Sequence, residues 1–298
     1  MKKTVFFTTL HLLFVLISSA QEQAIAIVHY QFKHINDTMQ MGQYLRDEVA
    51  TYLGKHSSYY ASYSGIRANE EMEQQMSDPN FDGNLVLTKN STPITRYYFF
   101  DNQHSKAKEI VHIAGDLFST DSDYPEQKWV LTSSQKVIGG YTCQKATTHF
   151  KGRDYVVWFT TELPFAAGPW KLRGLPGLIL DARDTKEEVI FEYAGFDKLE
   201  NSTFLIGVPD KAYSSTPTEV KKLLDAFRAN PQAYLEAKSR TARSTPGSAQ
   251  PNRVDIHASK EVDNTNKMDP SRIKSMNVKT DESYKPSKTT NNPIERTP

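Results

Sequence analysis

Trp158-Phe159-Thr160-Thr161-Glu162-Leu163-Pro164-Phe165-Ala166-Ala167-Gly168-Pro169-Trp170-Lys171-Leu172-Arg173-Gly174-Leu175-Pro176-Gly177-Leu178-Ile179 is the stretch that decides the fold. Three prolines and three glycines between Glu162 and Gly177 exclude a helix or a regular central strand there. Phe165, Trp170, Leu172 and Leu175 are apolar, which a solvated linker does not need. The stretch therefore reads as a rigid, apolar loop held between two strands. Leu175-Pro176-Gly177-Leu178 predicts a type II turn, with Pro176 fixing φ and Gly177 supplying a positive φ. Gly174 then allows close backbone approach, and Leu178-Ile179-Leu180 reads as a strand buried on both faces.

Outward from this loop the pattern is a meander. Residues 94–100, 106–113, 128–132, 141–150, 154–160, 178–182 and 189–196 are strand candidates rich in Val, Ile, Thr, Tyr, Phe and Trp. Lys151-Gly152-Arg153-Asp154 and Asp184-Thr185-Lys186-Glu187 look like hairpin turns, and closely spaced hairpins require antiparallel pairing. Residues 25–33 alternate as a strand, and residues 48–63 contain further strand. Residues 66–77 predict a short, mostly exposed helix. Thr216-Pro217-Thr218-Glu219 is a capping box with Pro in the first turn, and Val220, Leu223, Leu224 and Phe227 form the apolar stripe behind it. The expected fold is mainly β, a β-rich α+β arrangement. Its core is a curved antiparallel meander sheet, as far closed as an open half-barrel, with peripheral helices and a disordered C-terminal tail.

The chain has 298 residues, net charge +1 and a single cysteine, Cys143. The near-zero charge gives no basic field for nucleic acid, and one cysteine permits no internal disulfide. Lys2 and Lys3, the apolar run Val5–Ile17 and Ser18-Ser19-Ala20 form a signal peptide over 1–20. The run is too short to span a bilayer, which takes about 20 residues, and no later run is long enough. The expectation is an exported chain starting at Gln21, located in the periplasm, at the outer membrane or outside the cell, with no transmembrane segment after cleavage. Residues 21–238 form the expected β-rich domain. From 239 to 298 Ser, Thr, Asn, Pro and Lys dominate and Tyr284 is the only aromatic, so this segment reads as a low-complexity tail.

No phosphate-loop, dinucleotide, nucleophile-elbow or zinc spacing occurs, so no cofactor, metal or catalytic set is assigned. The remaining histidines read as scattered over the surface. Trp158, Trp170, Lys171 and Arg173 are the candidate ligand-binding residues, because the rigid loop would present aromatic and cationic groups together. Gly174, Leu175, Pro176, Gly177, Leu178 and Ile179 form the structural motif. Trp158 and Trp170 can equally fill the core, and the loop can equally be a corner that closes the sheet. Cys143 has Lys145 and His149 on its own strand face, which is thin support for a reactive thiol against a buried, inert one. Glu162 and Asp181 flank the loop, and two carboxylates across a cleft can cut a glycosidic bond.

Tyr141, Cys143, Ala146, Gly152, Arg153, Trp158, Pro164, Gly168-Pro169 and the hexapeptide Gly174–Ile179 resemble the GLPGLI family of secreted proteins from Bacteroidetes-type bacteria. The resemblance spans Ile25 to Leu199. It implies export and a β-rich domain, and no settled activity. Asn292-Pro293-Ile294-Glu295 also resembles the way family members end, leaving it open that the last residues dock on the domain. Two function classes follow. One is an exported, non-catalytic module that binds a small ligand or an envelope protein through the concave side of its sheet. The alternative is a hydrolase-type enzyme using Glu162/Asp181 or Cys143.

Overall fold

Runs of β-branched and aromatic residues separated by tight turns fold as antiparallel strands, and one such meander makes up most of this chain. The computed structural model describes residues 21–244 and 270–296. The signal-peptide segment 1–20 lies outside the described residues. The first half holds β1 (Glu22–Gln23), β2 (Ala26–His34), β3 (Leu45–Leu53), β4 (Ser57–Ser62), α1 (Ser64–Ser77), β5 (Asn84–Lys89), β6 (Arg96–Asp101), β7 (Lys106–Ile113), β8 (Asp116–Ser122) and β9 (Val130–Ile138). Then come β10 (Tyr141–Phe150), β11 (Arg153–Thr160), β12 (Leu178–Asp184), β13 (Val189–Lys198), β14 (Leu205–Ile206), β15 (Tyr213–Ser214), α2 (Pro217–Ala229), α3 (Pro231–Ser244) and β16 (Ser275–Thr280).

Twelve strands form one sheet in the order β15-β8-β7-β6-β4-β3-β2-β13-β12-β11-β10-β9. Every pairing in it is antiparallel except β15 with β8, and it is not closed into a barrel. The fold is mainly β, as the residue pattern predicts. The β10–β11 hairpin turns on Lys151 and Gly152, both at positive φ (50° and 73°), which is the turn geometry that matches strand twist. The capping box is present: the Thr216 hydroxyl accepts from the Glu219 amide while the Glu219 carboxylate accepts from the Thr216 amide. Among the described residues no helix is long and apolar enough to cross a membrane.

The two faces of the sheet are covered differently. One carries Val28, Tyr30, Phe32, Val49, Tyr60, Tyr98, Val157 and Phe159, and the Pro/Gly loop lies in the same core cluster through Leu163, Trp170, Leu172 and Leu175. Thr51 Oγ1 donates to the Gly168 carbonyl at 3.0 Å and Tyr30 Oη to that of Ile179 at 2.7 Å. The opposite face carries Ile27, Ala50, Tyr52, Tyr59 and Tyr97, covered by α1 and by the chain from Leu199 to Val208. Helices α2 and α3 pack a smaller cluster against Val111 and Ile113.

Three expectations for the loop are corrected. Gly177 does not take a positive φ; Gly174 does, at 86°. A Cβ on Gly177 would lie 2.0 Å from the Thr160 carbonyl oxygen, so close approach rather than a type II turn requires glycine there. The roles of the two glycines are thus exchanged. Lys171 and Arg173 are not presented to solvent, since they are only 7 % and 3 % exposed. The loop is drawn into the apolar layer, and its cations go with it.

Low-complexity composition does not keep the chain's end off the domain. The strand β16 adds in parallel to β5, from Ser275 opposite Asn84 to Thr280 opposite Lys89. Tyr284 and Asn292 are buried, and residues 287–296 hydrogen-bond to Asn36, Asp37, Lys151 and Arg153. Backbone pairing and a few anchoring side chains suffice where no apolar stripe exists.

Gly177→Ala should therefore destabilise the fold by about 1–3 kcal/mol, the usual cost of overpacking, because its Cβ meets backbone that cannot swing aside. Paired urea melts of the variant and the parent measure this, and coincident midpoints would remove the close-approach account.

Candidate active site

A cavity of about 270 Å³ opens on the face that α1 covers. That is near the lower end of the roughly 300–1,000 Å³ typical of ligand sites. Strand β2 contributes His29, β3 contributes Tyr52 and the neighbouring Glu48, α1 contributes Arg67 and Glu70, and β13 contributes Asp197. The alternation of β3 puts Glu48 and Tyr52 on this face and Asp47 on the other.

The polar side is one connected chain of charges. His29 Nδ1 lies 3.3 Å from Glu48 Oε1 and its Nε2 lies 3.4 Å from Asp197 Oδ2. Both are ion-pair distances; the Nδ1 contact lacks hydrogen-bond alignment. Arg67 grips Glu48 with two nitrogens, Nη2 to Oε1 at 2.7 Å and Nε to Oε2 at 3.1 Å. Its Nη1 reaches Glu70 Oε2 at 2.7 Å, and Tyr63 Oη donates to Glu70 Oε1 at 2.7 Å. The Tyr63 ring closes the circuit edge-on against the His29 imidazole, with centroids 4.5 Å apart. The apolar side is a stacked pair, Tyr52 on Phe204 at 3.9 Å and 7°.

Burial alone would raise the Glu48 carboxyl, but the His29 and Arg67 contacts outweigh it and hold it down at about 2. Asp47 has the opposite fate. Burial pushes it up to about 7 despite hydrogen bonds from Ser64, the Ile94 amide and Ser62. Glu48 is thus a fixed negative charge that orients His29, while Asp197, 69 % exposed at its side chain, stands at the rim. Among the described residues no cluster of His, Cys, Asp and Glu is arranged to hold a metal ion.

The residues singled out in the sequence lie elsewhere. Trp158 is half-buried, with Lys136 Nζ 4.5 Å above its ring. Trp170 is buried against Phe150 and Tyr155. Lys171 Nζ sits 4.9 Å over the Tyr98 ring and pairs with Glu295. Arg173 is wedged between Phe100 and Tyr124, at 4.3 and 4.8 Å, and donates to Asn102. The motif residues Gly174 to Gly177 form the bend that returns the loop to β12, which Leu178 and Ile179 open. Cys143 is fully buried, and burial pushes its thiol up to about 11. Glu162 is exposed and accepts from the Thr142 amide, while Asp181 is buried and paired with Arg183 at 2.8 Å. His29 and His34 are buried rather than scattered on the surface. The site's members come from four elements and share no local motif; only the Arg67–Glu70 spacing on a helix was a readable hint.

Residues 69–193 match the family model for the N-terminal domain of N-glycanase peptide, PNGase F-II. The match covers less than half of the chain. It overturns the GLPGLI resemblance, and it sets the domain of an enzyme family in place of the non-catalytic binding or envelope module. No curated protein matches. Two solved structures of PNGF-II, in the P21 and C2 space groups, resemble the chain at 15 % and 14 % identity, each with a TM-score of 0.44. They cover 67 % and 66 % of this chain, which spans about a third of theirs, 33 % and 32 %.

Because the Glu48 pKa is depressed below its ordinary 4.5, its contribution to stability is complete above that value and is lost as pH falls toward 2. That contribution is at most about 3 kcal/mol, reduced by solvent screening at the half-exposed Arg67. Glu48→Gln should be less stable than the parent at neutral pH and should flatten the acid limb of the melting curve. Parallel acid limbs in the two proteins would contradict the assignment.

Proposed function

We propose that the chain is a hydrolase-type domain of the N-glycanase kind, acting on the sugar-bearing amide of N-glycosylated peptides at the His29 cavity. The observation that carries this is the buried imidazole held by a fixed carboxylate at the mouth of a cavity walled by stacked aromatic rings. Imidazole suits proton transfer near neutral pH. Flat aromatic surface suits the apolar face of a sugar ring, and carboxylates accept hydrogen bonds from its hydroxyls. The family-model match supplies the reaction class. Of the cavity-lining residues only Glu70 falls within 69–193, so the assignment of His29 rests on geometry.

The chemistry balances with water as the only co-reactant. His29 Nε2 takes a proton from water as its oxygen adds to the side-chain amide carbon. The proton passes to the nitrogen that leaves with the sugar, and the asparagine becomes aspartate. Glu48 is a positioning residue: its fixed charge, 3.3 Å from Nδ1, favours the tautomer with the proton on Nδ1 and leaves Nε2, on the Asp197 side, to accept. Cys143 suits this role poorly because its thiol is raised and buried, and Asp181 because Arg183 occupies it.

The mature chain incubated with an N-glycosylated peptide should release the glycan and convert Asn to Asp, as read by mass spectrometry. His29→Gln should slow release by about 10²–10⁴-fold, the usual contribution of a general acid–base group, while Trp158→Ala should not. Glycan release undiminished in His29→Gln would sink the assignment. Export is part of the same reading, and intact mass of the exported protein should begin at Gln21; a mass that retains residues 1–20 would make the segment an anchor.

A further inference from the structure

Arg153, at the start of β11, is a buried cation, with a side chain 1 % exposed. A guanidinium has five N–H groups. Two of its five contacts come from the end of β12 and the β12–β13 turn: Nη1 reaches Asp184 Oδ2 at 2.6 Å and Glu188 Oε2 at 2.8 Å. The other three come from the end of the chain. Nε donates to the Ile294 carbonyl at 2.9 Å, and Nη2 to Asn292 Oδ1 and the Pro293 carbonyl, both at 2.8 Å.

The same short segment satisfies the rest of the cleft. Asn292 Nδ2 donates to the Ile35 carbonyl at 2.7 Å and to Glu188 Oε2 at 3.1 Å. Arg296 pairs with Glu188, and its amide donates to the Lys151 carbonyl at 2.9 Å. Glu295 meets the buried Lys171, and Ile294 packs on the main core. Without residues 292–296 the cleft would hold one cation against two carboxylates, beside a buried ammonium, with three guanidinium donors unmet. Each unmet buried donor costs about 1–3 kcal/mol, and unmet charges cost more. The segment supplies the missing acceptors, one positive charge for the carboxylates and one negative charge for the ammonium.

We propose that the cleft between the end of β2, the β10–β11 turn and the β12–β13 turn is a peptide-binding site selective for an Asn-Pro-Ile-Glu-Arg segment. In this chain residues 292–296 fill it, and they exchange for a free peptide of the same sequence. Extended peptides are commonly held in this way, by backbone carbonyls on a cation with one side chain in a pocket. The site is remote from the His29 cavity in its residues and stands whether or not that cavity cleaves glycans.

The test uses the full chain with a protease site inserted between Ser244 and Pro270. After cleavage the two pieces should stay together on gel filtration with an unchanged near-ultraviolet spectrum. An excess of labelled peptide 284–298 should then replace the cut segment. The same peptide carrying Asn292→Ala should compete about 30-fold less well, the usual loss on truncating a buried anchor. Pieces that part without rebinding, a cut chain that unfolds, or two peptides that compete equally would each overturn the proposal. As a second measurement, the intact chain with Asn292→Ala and Arg296→Ala should bind labelled wild-type peptide while the intact parent does not; equal binding to both, or to neither, would count against it.

Discussion

Tyr30 donates to the Ile179 carbonyl and Thr51 to that of Gly168, and these two bonds hold the Pro/Gly loop against one face of the sheet. Much else depends on that seating. Twelve strands create a broad apolar layer, and an open sheet must cover both faces to be stable in water. On one side the cover includes a helix. On the other it includes irregular backbone, which needs glycine where chains approach closely and proline where torsions must be fixed. Trp170 adopts a left-handed φ of 54°, unusual for a bulky residue, and holds it because packing on Phe150 and Tyr155 leaves it no alternative.

That seating also decides which face can carry chemistry. The layer beneath the loop is filled by Leu163, Trp170, Leu172 and Leu175 packed on the sheet. The other face has a helix lying over strands, and a helix is too narrow to seal against a wide sheet everywhere. The gap beside α1 is where His29, Glu48 and Arg67 meet. The consecutive residues Asp47 and Glu48 show how sharply the faces differ. One is driven toward its neutral form by burial, and the other is held ionised by its contacts with His29 and Arg67.

Most of the strand pattern was legible because it is local. Periodicity placed β7 at its observed bounds and β10 and β11 within a residue, and the capping box placed α2. β8 escaped because Asp116 to Ser122 is mostly polar and half-covered, so it lacks alternation. The loop's rigidity was readable, but not the direction its side chains take: Lys171 and Arg173 look like surface cations until the aromatic rings of Tyr98, Phe100 and Tyr124 are placed beside them. Of the cavity only the Arg67–Glu70 spacing was readable. His29 and Glu48 meet only through strand register, and Asp197 joins them only after β13 has paired with β2. Composition likewise hid the cleft at Arg153, since its ligand segment sits in a polar stretch with no periodicity.

The cleft has a consequence for how the protein is made. A chain threaded through a membrane or leaving a ribosome emerges from its N-terminal end first. Arg153 and the carboxylates around it are therefore in place while the acceptors they need are still 139 to 141 residues away. Until residue 296 has appeared, the domain carries a half-neutralised knot of charge where a finished one carries none. A chain that lacks residues 292–296 leaves that knot open. Residues 292–296 thus act as a late-arriving clasp, read by the stability of the domain itself.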